Sequence, residues 1–308
     1  MTKVFVLVNE KIRQSGRCLK LAMSNIVITG ASRGIGLAIA LELARAGHSV
    51  TAAMRNPAAS PELAGQAARE KLPIRIETMD VDSDASVQQA FGRILAQAPV
   101  DVLVNNAGIE RLGPIEETPL ADFRTCMETN YFGAIRCIQA AVRPMRERGS
   151  GAIINVTSIG GKISMSPMAP YAASKFALEG LSEALAQELR AFGVRVAIVE
   201  PGIIDTRMAR NIEDMRRSKV YPQVRRCMAL FESTLSAGAG QPQVVGQKVR
   251  EIVESGTWQL RHTVGPDADG FLAWRGSMND ESWIQWGAQS DSDWLKSVKT
   301  DFGMDLKL

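Results

Sequence analysis

The stretch Thr29-Gly30-Ala31-Ser32-Arg33-Gly34-Ile35-Gly36 constrains this chain more than any other. A short apolar run, Ile26-Val27-Ile28, precedes it and reads as a buried strand. Behind it, Leu37-Ala38-Ile39-Ala40-Leu41-Glu42-Leu43-Ala44 has helical character and stops at Gly47. Strand, glycine-rich turn and helix form the context in which a glycine pattern signals a dinucleotide site. The glycines let the backbone approach a pyrophosphate, and the helix start offers free N–H groups and a favourable dipole.

The same alternation continues along the chain. Strands are predicted at 49–54, 74–79, 100–104, 151–157, 194–199 and 257–263, after the first at 26–29. Helices are predicted between them at 63–72, 83–97 with Ser83 as N-cap, 119–148, 171–192 and 244–253. This order predicts an α/β chain: a Rossmann-type doubly wound parallel sheet of about seven strands flanked by helices, with a C-terminal extension. Ligands of such sheets collect at the carboxyl ends of the strands. Gly30, Arg55, Asp80 and Asn106 all fall there, each on a different strand.

A chain that binds NAD places Asp or Glu near the end of the second strand to hold the ribose 2′-hydroxyl. Here Arg55 ends that strand and Arg33 sits in the glycine turn. Two cations suit a 2′-phosphate, so the expected cofactor is NADP(H), with NAD(H) as the alternative. Tyr171 and Lys175 stand four apart at the start of a helical run and leave from nearly the same face. A free phenol titrates near ~10, and a neighbouring ammonium is expected to pull that value down. The pair is suited to exchange a proton with a carbonyl/alcohol couple. Asn130 lies inside the predicted 119–148 helix, where it either caps a local kink or holds a water near the active site.

Composition excludes several classes. With 308 residues and 45% hydrophobic content the chain can bury a large core. No apolar run approaches the ~20 residues of a membrane helix. The net charge of +3 comes from residues 1–23, and the nearly neutral remainder gives no case for a nucleic-acid partner. Cys18, Cys126, Cys137 and Cys227 show no paired spacing, which suggests reduced thiols and a cytoplasmic protein. Two histidines, His48 and His262, leave little material for a metal site or a serine–histidine triad, and no metal is expected. Residues 1–22 read as a poorly ordered extension, and Met23 as a natural start.

The motif set Thr29–Gly36, Asn105-Asn106-Ala107-Gly108, Asn130, Ser158, Tyr171-Ala172-Ala173-Ser174-Lys175 and Pro201-Gly202 resembles the short-chain dehydrogenase/reductase superfamily in its compact subtype. The resemblance covers residues 24–262 in order and spacing, and leans toward the 17β-hydroxysteroid and retinol dehydrogenase-like branch. It implies catalytic roles for Asn130, Ser158, Tyr171 and Lys175. Tyr171 would exchange the proton. Lys175 would lower the Tyr171 pKa and bind the nicotinamide ribose, Ser158 would stabilise the reacting oxygen, and Asn130 would hold a water. It assigns the cofactor to Gly30, Ser32, Arg33, Gly34, Ile35, Gly36, Arg55, Asp80, Val81, Asn106, Ala107, Gly108, Tyr171, Lys175, Pro201, Gly202, Ile204 and Thr206. It further implies a homodimer or homotetramer built through helices 119–148 and 171–192. A binding protein that had lost the chemistry would tolerate loss of Tyr171 or Lys175, and neither is lost; an extended-subtype epimerase or dehydratase fits the glycine and tyrosine motifs poorly.

The resemblance divides the chain into an extension at 1–22, a single catalytic domain at 23–263 with a lid at 205–242, and a tail at 264–308. Met165, Met168 and Met208 suggest an apolar ketone or aldehyde as substrate. Methionines in 207–240, Met215 among them, are otherwise read as core. Four of five tryptophans, Trp274, Trp283, Trp286 and Trp294, lie in the tail, which is expected to pack on the domain through a helix starting near 279 or 280. Two roles stand open for it: capping the substrate cleft or contacting another subunit. The last ten residues are expected to be loose.

Overall fold

The computed structural model describes residues 23–211 and 218–308. In chain order the first half holds β1 (Asn25–Thr29), α1 (Gly34–Arg45), β2 (Ser49–Met54), α2 (Pro61–Glu70), β3 (Ile74–Thr78), α3 (Asp84–Leu95) and β4 (Val102–Asn105). There follow α4 (Leu120–Met127), α5 (Gly133–Arg148), β5 (Gly151–Val156), α6 (Ala169–Arg190), β6 (Val194–Pro201), α7 (Gln223–Ser236), α8 (Pro242–Ser255) and β7 (Arg261–Val264). The tail folds into α9 (Ala268–Gly276), α10 (Asp280–Ala288) and α11 (Asp291–Phe302).

All seven strands run parallel, in the order β3-β2-β1-β4-β5-β6-β7. The order reverses between β1 and β4, so a crevice opens where Thr29 and Asn105 end their strands. Both faces of the sheet are covered, which is why the strands read as near-continuous apolar runs. Along β1, Ile26 and Ile28 point to one side, against Ile39 and Leu43 of α1 and Val249 of α8. Val27 points to the other, with Phe91 of α3, Cys137 of α5 and Leu189 of α6. Gly246 lets α8 lie directly on α1: a Cβ there would meet the Ala38 carbonyl at 2.9 Å. A third core joins the tail to α7, with Trp286 and Trp294 packed among Val224, Cys227, Leu230 and Phe231.

Several expectations are corrected. The helix predicted over 119–148 is two helices, α4 and α5, joined by a π turn at Glu128–Phe132 that contains Asn130. The cause is non-local: the buried Asn130 amide serves backbone and side-chain partners outside the helix, described below. The seventh strand is shorter than 257–263, because ladder pairing with β6 begins at Arg261. The final residues are not loose throughout: α11 reaches Phe302, whose ring packs 4.8 Å from Trp274. The N-terminal extension 1–22, with Cys18, and Met215 lie outside the described residues.

Candidate active site

The glycine turn has a steric basis. Gly30 adopts φ +66°, and a Cβ there would stand 2.7 Å from the Ala107 Cα. A Cβ at Gly36 would run into the Gly30 carbonyl and the Asn106 amide. That amide donates to the carbonyls of Thr29 at 3.0 Å and Gly30 at 3.2 Å. The Thr29 hydroxyl in turn accepts from the backbone N–H groups of Asn106 and Ala107, at 3.0 and 2.9 Å. The ends of β1 and β4 are thus locked edge to edge. Helix α1 begins without a side-chain cap and without an acidic residue in its first turn. Its orphan N–H groups are left for an anion. Arg33 and Arg55 are both exposed on this rim, and neither has an ion-pair partner among the described residues.

Helix α6 carries the other half of the site. Tyr171, Lys175, Glu179 and Ser182 follow at helical spacing, all buried, and turn one polar stripe toward the sheet ends. Each is fixed to β5 or to the site. The Lys175 ammonium donates to the Val156 carbonyl at 3.0 Å. The Thr157 hydroxyl donates to the Glu179 carboxylate at 2.7 Å. The Asn155 amide donates to the Ser182 hydroxyl at 2.8 Å. Ser158 stands two residues beyond the end of β5. Its hydroxyl accepts from Gly160 N–H at 3.0 Å and hydrogen-bonds the Tyr171 phenol.

Asn130 sits behind this group. Its amide donates to the Ile109 carbonyl at 2.9 Å and the Ser174 hydroxyl at 2.9 Å, and its oxygen accepts from Ile109 N–H at 2.8 Å. Both donor hydrogens have protein partners, and one lone pair of the oxygen is left over. Gly108 is the spacer between this oxygen and Lys175: a Cβ there would lie 3.3 Å from the one and 3.6 Å from the ammonium nitrogen.

The electrostatics correct one expectation. Burial pushes the Tyr171 phenol well above its usual range, and the nearby Glu110 carboxyl pushes the same way. The hydrogen bond to Ser158 opposes them. Lys175 does not pull the phenol down here; its ammonium lies 5.7 Å from the Tyr171 ring and is aimed at the strand end. Burial lowers Lys175 itself to about 8. The thiols of Cys126, Cys137 and Cys227 are buried and pushed upward by burial, so they are poor nucleophiles.

One cavity of about 920 Å³ takes in every residue assigned to the cofactor, together with Ser158, Tyr171 and Lys175. Asn130 alone of the predicted site residues is not in its wall. Met165, Met168 and Met208 line it as expected. The two ends of the 205–242 segment meet where Asp205 N–H donates to the Gly240 carbonyl at 2.8 Å. Sequence reasoning missed one contribution and left a second open. Glu110, two residues beyond the Asn-Asn-Ala-Gly motif, lines the same cavity. So do Phe271, Trp274, Trp283, Trp286 and Phe302 of the tail. Trp283 and Trp286 stack at 5.5 Å with 7° between planes, and Trp274 stands edge-on to both. The tryptophan count was the available signal; the wall they form depended on where α9 to α11 dock. Among the described residues no cluster of His, Cys, Asp or Glu is arranged to hold a metal ion. No helix among them is long and apolar enough to cross a membrane.

Comparison with known proteins agrees with this fold. A family model described as short chain dehydrogenase matches residues 24–217. The uncharacterised oxidoreductase YusZ of Bacillus subtilis is 34% identical over 247 residues, spanning 78% of this chain and 88% of that protein. Human retinol dehydrogenase 8 is 40% identical over 191 residues, 60% of each chain. The crystal structure of a short-chain dehydrogenase from Streptomyces avermitilis superposes with a TM-score of 0.75 at 31% identity, over 86% of this chain and 97% of that one.

Proposed function

This chain belongs to the short-chain dehydrogenase family, with a retinol dehydrogenase-like relationship, and is an oxidoreductase of the carbonyl/alcohol couple that uses NAD(P); on that premise we propose that it is an NADP(H)-dependent reductase of an apolar ketone or aldehyde, with Tyr171 as general acid. The observation that carries the proposal is the meeting of three things in one cavity: a glycine cradle with free arginines, the Ser158–Tyr171–Lys175 group, and a wall of tail aromatics. The close-packed glycine cradle at Gly30 and Gly36 and the uncapped start of α1 fit a dinucleotide phosphate. Arg33 and Arg55 fit a 2′-phosphate, and no carboxylate ends β2 to favour a free ribose. The bound nicotinamide supplies the hydride.

The chain supplies the rest. Tyr171 hands its proton to the carbonyl oxygen as the alcohol forms. Its raised proton affinity keeps it in the donor form at neutral pH until that moment. The Ser158 hydroxyl steadies the oxygen where negative charge develops. Lys175, held at the end of β5 by the Val156 carbonyl, binds the nicotinamide ribose, and Asn130 holds a water on the path by which the proton is replaced. The stacked tryptophans and Met165, Met168 and Met208 take an apolar substrate body and exclude water. We further propose that residues 23–263 are the catalytic domain, with the lid at 205–242 and the tail at 264–308 as extension. The enzyme is proposed to be a cytoplasmic homo-oligomer built through α4 to α6, where Phe132 and Phe176 are exposed.

Tyr171→Phe tests the core of this reading on a panel of ketones and aldehydes followed by NADPH oxidation. The variant should keep NADPH affinity and lose about 10²- to 10⁴-fold in turnover. Near-normal turnover would sink the role given to Tyr171.

A further inference from the structure

Glu110 lines the cavity beside Tyr171, and the mechanism above does not use it. Its backbone is held in place by its neighbour: Asn130 clamps both the N–H and the carbonyl of Ile109. Arg111, next in sequence, turns its guanidinium to Asp122 at 3.7 Å and touches only the backbone carbonyl of Glu110, at 2.9 Å. The Glu110 carboxyl therefore receives no hydrogen bond or ion pair from another described residue. The titratable groups facing it are Tyr171 and Lys175 of α6, Cys126 of α4 and Cys227 of α7. Lys175 alone among these opposes its charge, and burial still raises the carboxyl to about 7.

An unpartnered carboxyl recessed in a cavity wall costs stability that packing does not return. It sits within electrostatic reach of the Tyr171 phenol and on the wall shared with the tail tryptophans. We propose that Glu110 is a substrate-recognition residue, whose carboxyl pairs with a hydroxyl carried near the reacting carbonyl of an otherwise apolar substrate. This rests on the reductase reading and narrows it from an apolar carbonyl compound to a hydroxylated one. A hydroxyl suits the site better than an ammonium for two reasons. Lys175 already faces Glu110 and would repel a second cation. A carboxyl that is part protonated at neutral pH can accept from a hydroxyl in one form and donate to it in the other.

The test uses the full-length enzyme with NADPH and three matched ketones of one apolar scaffold: the parent, a form with a hydroxyl on the carbon beside the carbonyl, and the corresponding amine. The wild type should favour the hydroxyketone over the parent by about 10- to 100-fold in kcat/KM. Glu110→Leu should erase or reverse that preference while keeping NADPH affinity. Glu110→Gln should retain part of it and lose the limb near neutral pH that wild-type kcat/KM shows on the hydroxyketone. A wild type that favours the parent or the amine overturns the proposal, as does a preference that survives Glu110→Leu. Where turnover of the panel is too slow to compare, the same contrast is read as the Tm increase on adding each ketone to the NADPH complex. Equal increases for wild type and Glu110→Leu would then overturn it. Activity persisting in Tyr171→Phe defeats the reductase mechanism instead, and leaves the Glu110 contrast readable.

Discussion

Single residues in this molecule are constrained by what stands within a few ångströms of them, and their sequence neighbours show only part of it. Arg55 is exposed on the rim of the cofactor cradle and has no ion-pair partner among the described residues. Its replacement by Asp should lower kcat/KM for NADPH by about 10- to 100-fold, the worth of a charge-assisted contact to phosphate, and leave NADH nearly unchanged. An unaltered NADPH/NADH ratio in steady-state kinetics would show that Arg55 faces only solvent. Arg55, Tyr171 and Lys175 were legible from spacing because cradle and proton pair are each local motifs. Glu110 was not, since one acid after a glycine looks the same whether it faces water or a cavity. The Tyr171 pKa was misread for a related reason. Sequence spacing places Lys175 nearby, but burial of the phenol outweighs that proximity, and burial is a property of the assembled fold.

Elements are joined by a few polar contacts at their ends, and α7 shows how much one side chain can hold. Arg226 is 3% exposed. It donates to Asp291 at 2.8 Å and to the carbonyl of Gln289 at 2.8 Å, and lies 5.6 Å from the Trp294 ring. Three elements, α7, α10 and α11, thus meet on one guanidinium. Arg226→Met removes the hydrogen bonds and keeps most of the packing volume, and should cost about 3–5 kcal/mol through the groups left unpaired. Limited proteolysis should then cut within 264–308. KM for an apolar ketone should rise several-fold with NADPH affinity unchanged, since the tail forms the substrate wall and not the cofactor cradle. Protection equal to wild type would count against this. One cap was visible in the sequence: Ser83, read there as an N-cap, accepts a backbone N–H at the start of α3, as Asn279 does at α10 and Ser290 at α11. A kink at Asn130 was one of two readings open from sequence; the π turn found there is stabilised by Ile109 and Ser174, distant in sequence.

At the scale of the whole molecule, the polar seam beneath the site links sheet, α6 and β7. Arg261 of β7 serves Glu179 at 3.0 Å and Glu183 at 2.5 Å, while Glu200 of β6 stands 3.4 Å away with one carboxylate oxygen lacking a hydrogen bond. Burial first, then the charge of Glu179, raises the Glu200 carboxyl from 4.5 to about 7. The folded protein therefore holds this proton more tightly than the unfolded chain does. The Glu200 contribution is most favourable below the unfolded value, declines as pH rises from about 4.5 to about 7, and is flat above that. Glu200→Gln should raise Tm at pH 8 by about 2–4 °C and have little effect at pH 5. A gain of equal size at both pH values, measured by thermal denaturation, would contradict the titration of Glu200. The sequence by itself determined the alternation of strands and helices, the sheet class, the glycine cradle and the Tyr171–Lys175 pair, because each rests on periodicity or on spacing within one or two elements. Only the tertiary structure decided which side chains share the cavity, what their burial does to their protons, and that the tail tryptophans close its substrate end. Those outcomes depend on contacts between segments up to two hundred residues apart, as when Arg250 of α8 donates to Glu42 of α1 at 2.6 Å, and no local pattern records them.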